Sequence, residues 1–277
     1  MTFLTSHLSF PSSSTSGALP PPKTHVVISD TLNSPAQFAL YHLISAALGK
    51  AGNVRRKVVW VDMRGEGRAS LEAVMKKIGT PLPPSTSSQF ILIAPSSLPH
   101  CISVPAQTPR IFDAHGKATL RNVYDTLSSH VADECLVILD GLTVMANIGV
   151  LQEEIAKFVR ATYAKVRLAG GILVSTLHTD SLPLPLSIYS PAEDIELLER
   201  VLRVGKGVWW RVQHLGSGRS GDVMGEISSH PFGGMTASTQ DDGKEDMPFV
   251  PRSKPLQYRL ETSTVKVFTK GTGRGFL

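Results

Sequence analysis

Two segments of the sequence have the layout of a nucleotide-binding site but lack the groups that would hold a phosphate. The first is the apolar run VVIS, residues 26–29, which a turn and an apolar stretch follow. A P-loop at this place reads Gly-x-x-x-x-Gly-Lys-Ser/Thr, and its amides, lysine and hydroxyl hold the phosphates and Mg²⁺. In register, those four positions are Ser29, Ser34, Pro35 and Ala36. Proline supplies neither a positive charge nor an N–H, so the turn is predicted to begin a helix and not to hold a nucleotide.

The second segment is CLVILDGL, residues 135–142. Its Asp140 ends an apolar run, where a Walker B aspartate would hold Mg²⁺. Without the lysine and hydroxyl upstream, the ion would have no phosphate to bridge, so Asp140 is expected to be a vestige that accepts bonds from backbone amides. Asp62 and Glu66 could activate a water in an intact ATPase, but they are expected to be surface residues. His178 ends the run GILVSTLH, where it could sense a ligand or simply bond a neighbouring loop.

A glycine-rich segment, GSGRSG at residues 216–221, matches the pattern Gly-x-Gly-x-x-Gly. The dinucleotide fingerprint follows a strand and opens a helix, whereas the strand-like DVMGEISSH follows here. The segment is therefore predicted to be a hairpin turn, with Arg219 near its tip able to touch a phosphate.

The net charge of +5 is placed unevenly along the chain. Residues 1–199 carry 16 basic and 16 acidic side chains, whereas residues 200–277 carry 12 and 7. This surplus favours an anionic partner such as nucleic acid, although a solvated basic surface would look the same.

Basic and aromatic side chains are mixed in the strand-like stretch after residue 204. Trp209 and Trp210 lie between Lys206 and Arg211. Such a mixture can stack on and neutralise single-stranded nucleic acid, but in a strand one of two adjacent tryptophans must point into the core. The candidate RNA-binding residues are Lys206, Arg211 and Arg219.

Alternating strands and helices must position these residues. Short apolar runs without alternation are typical of strands that are buried on both faces of a parallel sheet. Such runs predict strands at 26–30, 58–62, 90–94, 136–140 and 172–177. Apolar residues at 3–4 spacing and the segments between the strands predict helices near 35–50, 68–78, 117–131, 150–168 and 191–203. The order predicts an α/β sheet, to which two β-hairpins, 207–230 and 257–271, are appended.

The composition predicts one domain, residues 24–277, after a disordered Ser/Pro-rich tail at residues 1–23. A loop rich in Pro, Gly and charge is predicted at 230–255. No run reaches 18 apolar residues, so no membrane span is expected. Cys101 and Cys135 are too few for a disulfide framework or a zinc site, which fits a reducing compartment.

Several of these features together resemble one family, Elongator complex protein 6. They are the eroded P-loop strand and the segments LVILDGLTVMANIG, LQEEIAKFVRATYA and LQYRLETSTVKVFTKG. The resemblance covers residues 24–277 and weakens in 95–115 and 230–255. The leading tail and the acidic residues at 241–246 depart from the family pattern.

The resemblance implies a RecA-like parallel sheet flanked by helices, without Walker A residues and without catalytic residues, cofactor or metal. It implies assembly with the fourth and fifth Elongator subunits into a heterohexameric ring. That ring would bind tRNA and dock on the catalytic Elongator subcomplex, which modifies wobble uridines. The expected compartments are the cytoplasm and also the nucleus.

Two other functions remain open at this stage. One is a functioning recombinase-like NTPase that acts on DNA through an unconventional phosphate site. The other is a free-standing scaffold without affinity for nucleic acid. The apolar helix near 35–48 also suggests a chain that associates weakly or aggregates when it is alone.

Overall fold

One sheet runs through the centre of the described part of the chain. The computed structural model describes residues 19–49, 55–98, 102–105, 108–179, 192–215, 222–233, 255–261 and 265–269. Their strands are β1 (His25–Asp30), β2 (Val58–Asp62), β3 (Phe90–Ile93), β4 (Leu136–Asp140), β5 (Ile172–His178), β6 (Gly207–Gln213), β7 (Gly225–Phe232), β8 (Leu256–Leu260) and β9 (Val265–Thr269). Their helices are α1 (Gln37–Leu48), α2 (Gly67–Ile78), α3 (Arg121–His130), α4 (Leu142–Asn147), α5 (Gln152–Leu168) and α6 (Ala192–Leu202).

The strand order among the described residues is β3-β2-β4-β5-β1-β6-β7-β8-β9. The strands from β3 to β6 in this order are parallel, and β7, β8 and β9 continue the sheet antiparallel. The carboxyl ends of the parallel strands therefore share one edge of the sheet, and their amino ends share the opposite edge. Ligands of open α/β sheets bind at the carboxyl edge.

The parallel strands are apolar on both sides because helices cover both faces of the sheet. Alternate residues of β1 enter different cores: Val26 and Ile28 face the core that contains α1 and α2, and Val27 faces the core that contains α3 to α6. The burial of β1, β2 and β4 at every position confirms the interpretation of unalternated apolar runs as doubly covered strands.

The apolar helix α1 is covered by this chain itself. Nine of its side chains are buried, including Leu40, Leu43 and Ile44. The ring of Phe38 lies 4.8 Å from the ring of Tyr258 in β8, so the appended strands contribute to this cover. The apolar character of α1 is thus explained without a partner, which removes that reason for expecting the lone chain to aggregate.

The predicted strands and helices are present, with differences at their ends. The prediction missed α4, whose six residues are too few to show a 3.6-residue period. β6 pairs in parallel with β1 and antiparallel with β7, so the first predicted hairpin is part of the main sheet. β7 extends to Phe232, inside the predicted loop, whose residues 234–254 lie outside the described residues together with residues 1–18 of the predicted tail. Among the described residues, no helix is long and apolar enough to cross a membrane.

Candidate functional site

Polar side chains meet at the carboxyl edge of the four adjacent strands β2, β4, β5 and β1. Each strand ends in an ionisable residue, and the register places Asp62 beside Asp140 and Asp30 beside His178. All three aspartates are buried, although buried carboxylates are rare in proteins unless they are paired. Whether these carboxylates are available to bind a metal ion or a ligand therefore depends on the groups that already contact them.

Asp140 is paired with an arginine from the neighbouring connection. Arg64 follows β2, and its Nε donates to Asp140 Oδ1 over 3.0 Å. Thr176 Oγ1 donates to the same oxygen over 2.6 Å, and the backbone N–H of Gly141 donates to Thr176 Oγ1. Burial raises the pKa of the Asp140 carboxyl, and the nearby Arg64 guanidinium opposes that rise. Asp140 Oδ2 has no hydrogen-bond partner among the described residues.

The backbone amides that were expected at Asp140 are bound by Asp62 instead. The N–H groups of Gly65 and Gly67 each donate to an Asp62 carboxylate oxygen over 2.8 Å. The expectation of amide partners for Asp140 is wrong, because the hydrogen bonds to its carboxylate come from the side chains of Arg64 and Thr176. The expectation of a surface position is wrong for Asp62, which is buried, and correct for Glu66, which is exposed.

His178 links the arginine to the end of β1. Arg64 Nη1 lies 3.2 Å from His178 Nε2, and since a guanidinium can only donate, Nε2 accepts. On the other side of the ring, Nδ1 lies 2.5 Å from Asp30 Oδ1. The backbone N–H of His178 also donates to Thr143 Oγ1 over 2.9 Å. His178 therefore contacts the end of β1, helix α4 and, through Arg64, the connection after β2. These contacts correspond to the plainer of its two predicted roles, and the sensor role stays a prediction.

The carboxylate of Asp30 completes this series of contacts at the start of α1. Its Oδ2 accepts the backbone N–H of Ala36, the N-cap residue of α1, over 2.8 Å. An amide at this place in a P-loop would face the phosphates of a nucleotide. The helix N-terminus carries a partial positive charge, which a carboxylate satisfies as a phosphate would. In this chain the anion at the start of α1 is its own Asp30.

The other P-loop positions also make contacts within the chain. Ser29 lies inside β1, and its Oγ accepts the indole N–H of Trp209 over 2.8 Å. Ser34 is buried, closes a tight turn by donating its N–H to the carbonyl of Thr31, and donates its Oγ to the carbonyl of Met224. Pro35 precedes the N-cap of α1, as its fixed φ allows. The turn is a helix start, as its sequence predicts.

We call the series Asp140, Arg64, His178 and Asp30 the edge network. Sequence analysis identified two of its members, Asp140 and His178. It missed Asp30, the last residue of β1, and Arg64, which stands two residues beyond the end of β2. Its role depends on β2 and β4 being neighbours, because Arg64 and Asp140 are 76 positions apart. Among the described residues, no group of three His, Cys, Asp or Glu side chains is arranged to hold a metal ion.

Glycine at position 141 keeps the network in place. Gly141 has φ of +87°, and a Cβ at this position would lie 2.6 Å from Cγ of Arg64. A side chain here would be strained and would also displace Arg64 from Asp140. The absence of a side chain at Gly141 therefore leaves the space that Arg64 occupies next to the end of β4.

Two of the three candidate RNA-binding residues, Lys206 and Arg211, lie in the described part of the chain, at or beside β6. Lys206 is exposed immediately before β6, and Arg211 lies about 16 Å further along this strand. Arg211 is half-buried, with its guanidinium 5.9 Å from the centre of the Trp209 ring. Trp210 is fully buried, as expected for one of the pair. Arg219 lies outside the described residues, so the three-residue site stays a prediction.

The fold can be compared with solved structures. A crystal structure of the RadB recombinase matches with a TM-score of 0.52 at 12% sequence identity, over 89% of this chain and 91% of that chain. No protein-family model matches the sequence, and no curated protein matches it either. The chain has a RecA-like fold. The predicted fold class, a mostly parallel α/β sheet with appended antiparallel strands, is confirmed.

Proposed function

We propose that this chain is a non-catalytic RecA-like subunit of the Elongator accessory ring. In this proposal it assembles with the fourth and fifth Elongator subunits into a heterohexamer, which binds tRNA and supports the modification of wobble uridines. The proposal combines the family resemblance of the sequence with the RecA-like fold and with the chemistry of the carboxyl edge.

The edge network is the observation that carries the non-catalytic part of the proposal. A P-loop enzyme needs a cation near its Walker B aspartate and free amides at the start of the following helix. Here the guanidinium of Arg64 already pairs with Asp140, and the carboxylate of Asp30 already accepts the amide of Ala36. A nucleotide and its Mg²⁺ would have to displace both, without a lysine to compensate. This supports a subunit that keeps the fold and has no nucleotide chemistry of its own.

Nucleotide binding by the isolated chain tests this part. We expect titration with ATP and Mg²⁺ to give no saturable heat and no thermal stabilisation, because ligand binding to the native state alone would raise the melting temperature. Saturable, Mg²⁺-dependent binding of micromolar strength would refute the proposal and favour the alternative, a recombinase-like NTPase that acts on DNA.

Two variants that restore the P-loop groups step by step test which missing group prevents nucleotide binding. Pro35→Lys with Ala36→Thr restores the lysine and the hydroxyl but keeps the Asp30 carboxylate against the helix amide, so it should still not bind or hydrolyse ATP. Adding Asp30→Gly removes that internal anion and should give at most weak binding without turnover, since the glycine turn is still missing. Turnover by the double variant would contradict the assignment of the edge network as the obstacle.

Assembly tests the other part of the proposal. Co-expression of this chain with the fourth and fifth subunits, followed by mass measurement of the purified complex, should give a heterohexamer that contains this chain. A stable assembly of the other two subunits that excludes it would refute the ring role and leave a free-standing scaffold as the remaining interpretation.

A further inference from the structure

Exposed basic side chains from four different segments gather at the amino edge of the sheet, opposite the edge network. They are Lys23 before β1, Lys165 and Arg167 in the last turn of α5, Arg203 after α6, and Lys206 before β6. We call these five residues the basic edge. All of them are exposed to solvent.

Backbone contacts hold these segments together. The N–H of Lys23 donates to the carbonyl of Gly171, just after α5, over 2.7 Å. The hydroxyl of Tyr163 in α5 donates to the carbonyl of Lys23 over 3.1 Å. The N–H of His25 donates to the carbonyl of Lys206 over 3.2 Å. Since β5, β1 and β6 are neighbours about 4.8 Å apart, the segments that carry these basic side chains lie next to one another at this edge.

Little negative charge opposes this surface among the described residues. Within them, Lys23, Lys165, Arg167 and Lys206 form no ion pair, and Arg203 pairs with Glu199 at 3.5 Å on the exposed face of α6. Two acidic residues, Asp133 and Glu134, precede β4 beside this surface. The N–H of Glu134 donates to the carbonyl of Ala169, just after α5, over 2.7 Å, and its carboxylate pairs with Arg56 at 3.8 Å. Further exposed basic side chains continue the edge towards β2 and β3, namely Arg55, Lys76 and Lys77.

Helix termini explain only part of this arrangement. Basic residues in the last turn of a helix complement its dipole, which accounts for Lys165 and Arg167. Lys23 and Lys206 precede strands, and strands have only small net dipoles. Their positive charge therefore has no structural use that the described residues show.

We propose that the basic edge binds the phosphate backbone of RNA. The inference rests on the proposed function, in which the assembled ring binds tRNA, and it says where this chain would make the contact. Unpaired lysines and an arginine on one surface can neutralise several phosphates, which is the main source of affinity for a folded RNA. Tyr163 is buried, and the half-buried Phe232, which pairs with Gly207 at this edge, packs with its ring 5.7 Å from that of His25. Contacts to phosphate are therefore expected here in place of base stacking.

An anionic membrane is the other partner that such a surface could attract. One exposed leucine, Leu168, lies beside Arg167. Stable attachment to a bilayer needs a larger apolar face in addition to basic residues, so a single leucine does not favour this partner.

The test compares two triple variants of this chain in the assembled ring. The basic-edge variant carries Lys165→Gln, Arg167→Gln and Lys206→Gln. Glutamine keeps the helix propensity and the polar character while it removes the charge. The control variant removes three exposed charges elsewhere on the chain, through Lys117→Gln, Arg121→Gln and Lys157→Gln. Ring mass is measured for each variant, and tRNA binding is measured at several salt concentrations.

We expect the basic-edge variant to bind tRNA about 10- to 100-fold more weakly at about 0.1 M salt, and the slope of log K against log salt to flatten by about 2 to 3. The control variant should change both by much less. Ring mass should be the same for both, because exposed side chains are substituted.

The outcomes separate the two proposals. If the wild-type ring does not bind tRNA, both fail. If it binds and the basic-edge variant binds as tightly, or if both variants weaken equally, the basic edge is not the contact, while the proposed function stands. If the basic-edge substitutions abolish binding to vesicles of anionic phospholipid but leave tRNA affinity unchanged, the surface is a membrane contact and the inference is wrong.

Discussion

Replacing Arg64 by methionine tests whether the edge network holds the carboxyl edge together. Methionine keeps much of the side-chain volume and removes the only cation within hydrogen-bond reach of Asp140 among the described residues. Breaking a buried ion pair from one side typically costs about 3 to 5 kcal/mol, because the remaining charge is left unpaired. Thr176 still donates to Asp140, so we expect Arg64→Met to lower the free energy of unfolding by about 3 kcal/mol near pH 8.

The loss of stability caused by Arg64→Met should depend on pH, because burial raises the pKa of Asp140. The pKa of Asp140 is raised in the folded chain, so the folded state binds the proton more tightly than the unfolded state does. Stability from this group is therefore present at low pH and is lost as the pH rises through the folded pKa. Without Arg64 the pKa rises further, so the cost of Arg64→Met should shrink by up to about 1.4 kcal/mol per pH unit as the pH is lowered.

Urea unfolding followed by tryptophan fluorescence measures this cost at about pH 8 and about pH 5.5. Titrating groups that do not interact with Arg64 cancel when wild type and variant are compared at one pH. Adding Asp140→Asn, which removes the charge and keeps an acceptor for Thr176, should recover about 2 kcal/mol of the loss near pH 8. A cost below about 0.5 kcal/mol near pH 8 would refute the assignment of Arg64 as the counter-ion.

Two further predictions concern the same fold. Gly141→Ala should cost about 2 to 4 kcal/mol in urea unfolding, because it combines a left-handed backbone with a contact of 2.6 Å to Arg64, whereas Gly149→Ala, with φ of +93° and open space around it, should cost about 1 kcal/mol. Equal costs for both glycines would contradict the contact with Arg64. Burial lowers the pKa of His25 and of His42 to about 4, so the unfolded chain takes up their protons first, and stability should fall by about 3 kcal/mol for each histidine between pH 6.5 and pH 4. His42→Leu should roughly halve this acid sensitivity, and an unchanged pH profile of the variant would show that His42 does not titrate in this way.

The fold was largely predictable from the sequence because its signals are local. Buried parallel strands are short apolar runs, and each run can be recognised in the sequence without knowing which strands lie next to it. The loss of the P-loop was readable for the same reason, since the four positions from Ser29 to Ala36 lie within eight residues. Helix α4 could not be predicted because it is too short to show a helical period. The place of β6 in the main sheet could not be predicted because it depends on pairing with β1.

The edge network was not predictable, because each of its contacts joins residues that are distant in the sequence. Arg64 is 76 positions from Asp140 and 114 from His178, and these contacts exist only when the strands take the order β2-β4-β5-β1. Arg64 stands in a short polar stretch after β2, where an arginine is ordinarily a solvated residue. Its significance follows from the carboxylate that the neighbouring strand places beside it.

The two edges of the sheet differ in how their charge is used, and this difference carries a functional argument. At the carboxyl edge, the buried ion pair of Arg64 and Asp140 contributes little net stability compared with apolar packing. Together with the contacts of His178 and Asp30, it fixes how the ends of the four strands β2, β4, β5 and β1 meet. Contacts within the chain therefore hold this edge together, and in the proposed function a nucleotide would have to displace them. At the amino edge, Lys23, Lys165, Arg167 and Lys206 remain exposed and unpaired among the described residues. A negatively charged partner is attracted more strongly to the amino edge than to the carboxyl edge, because the cations at the amino edge are not already paired with carboxylates of this chain. For this chain, a charged partner is thus better sought at the edge opposite the one where α/β sheets ordinarily bind their ligands.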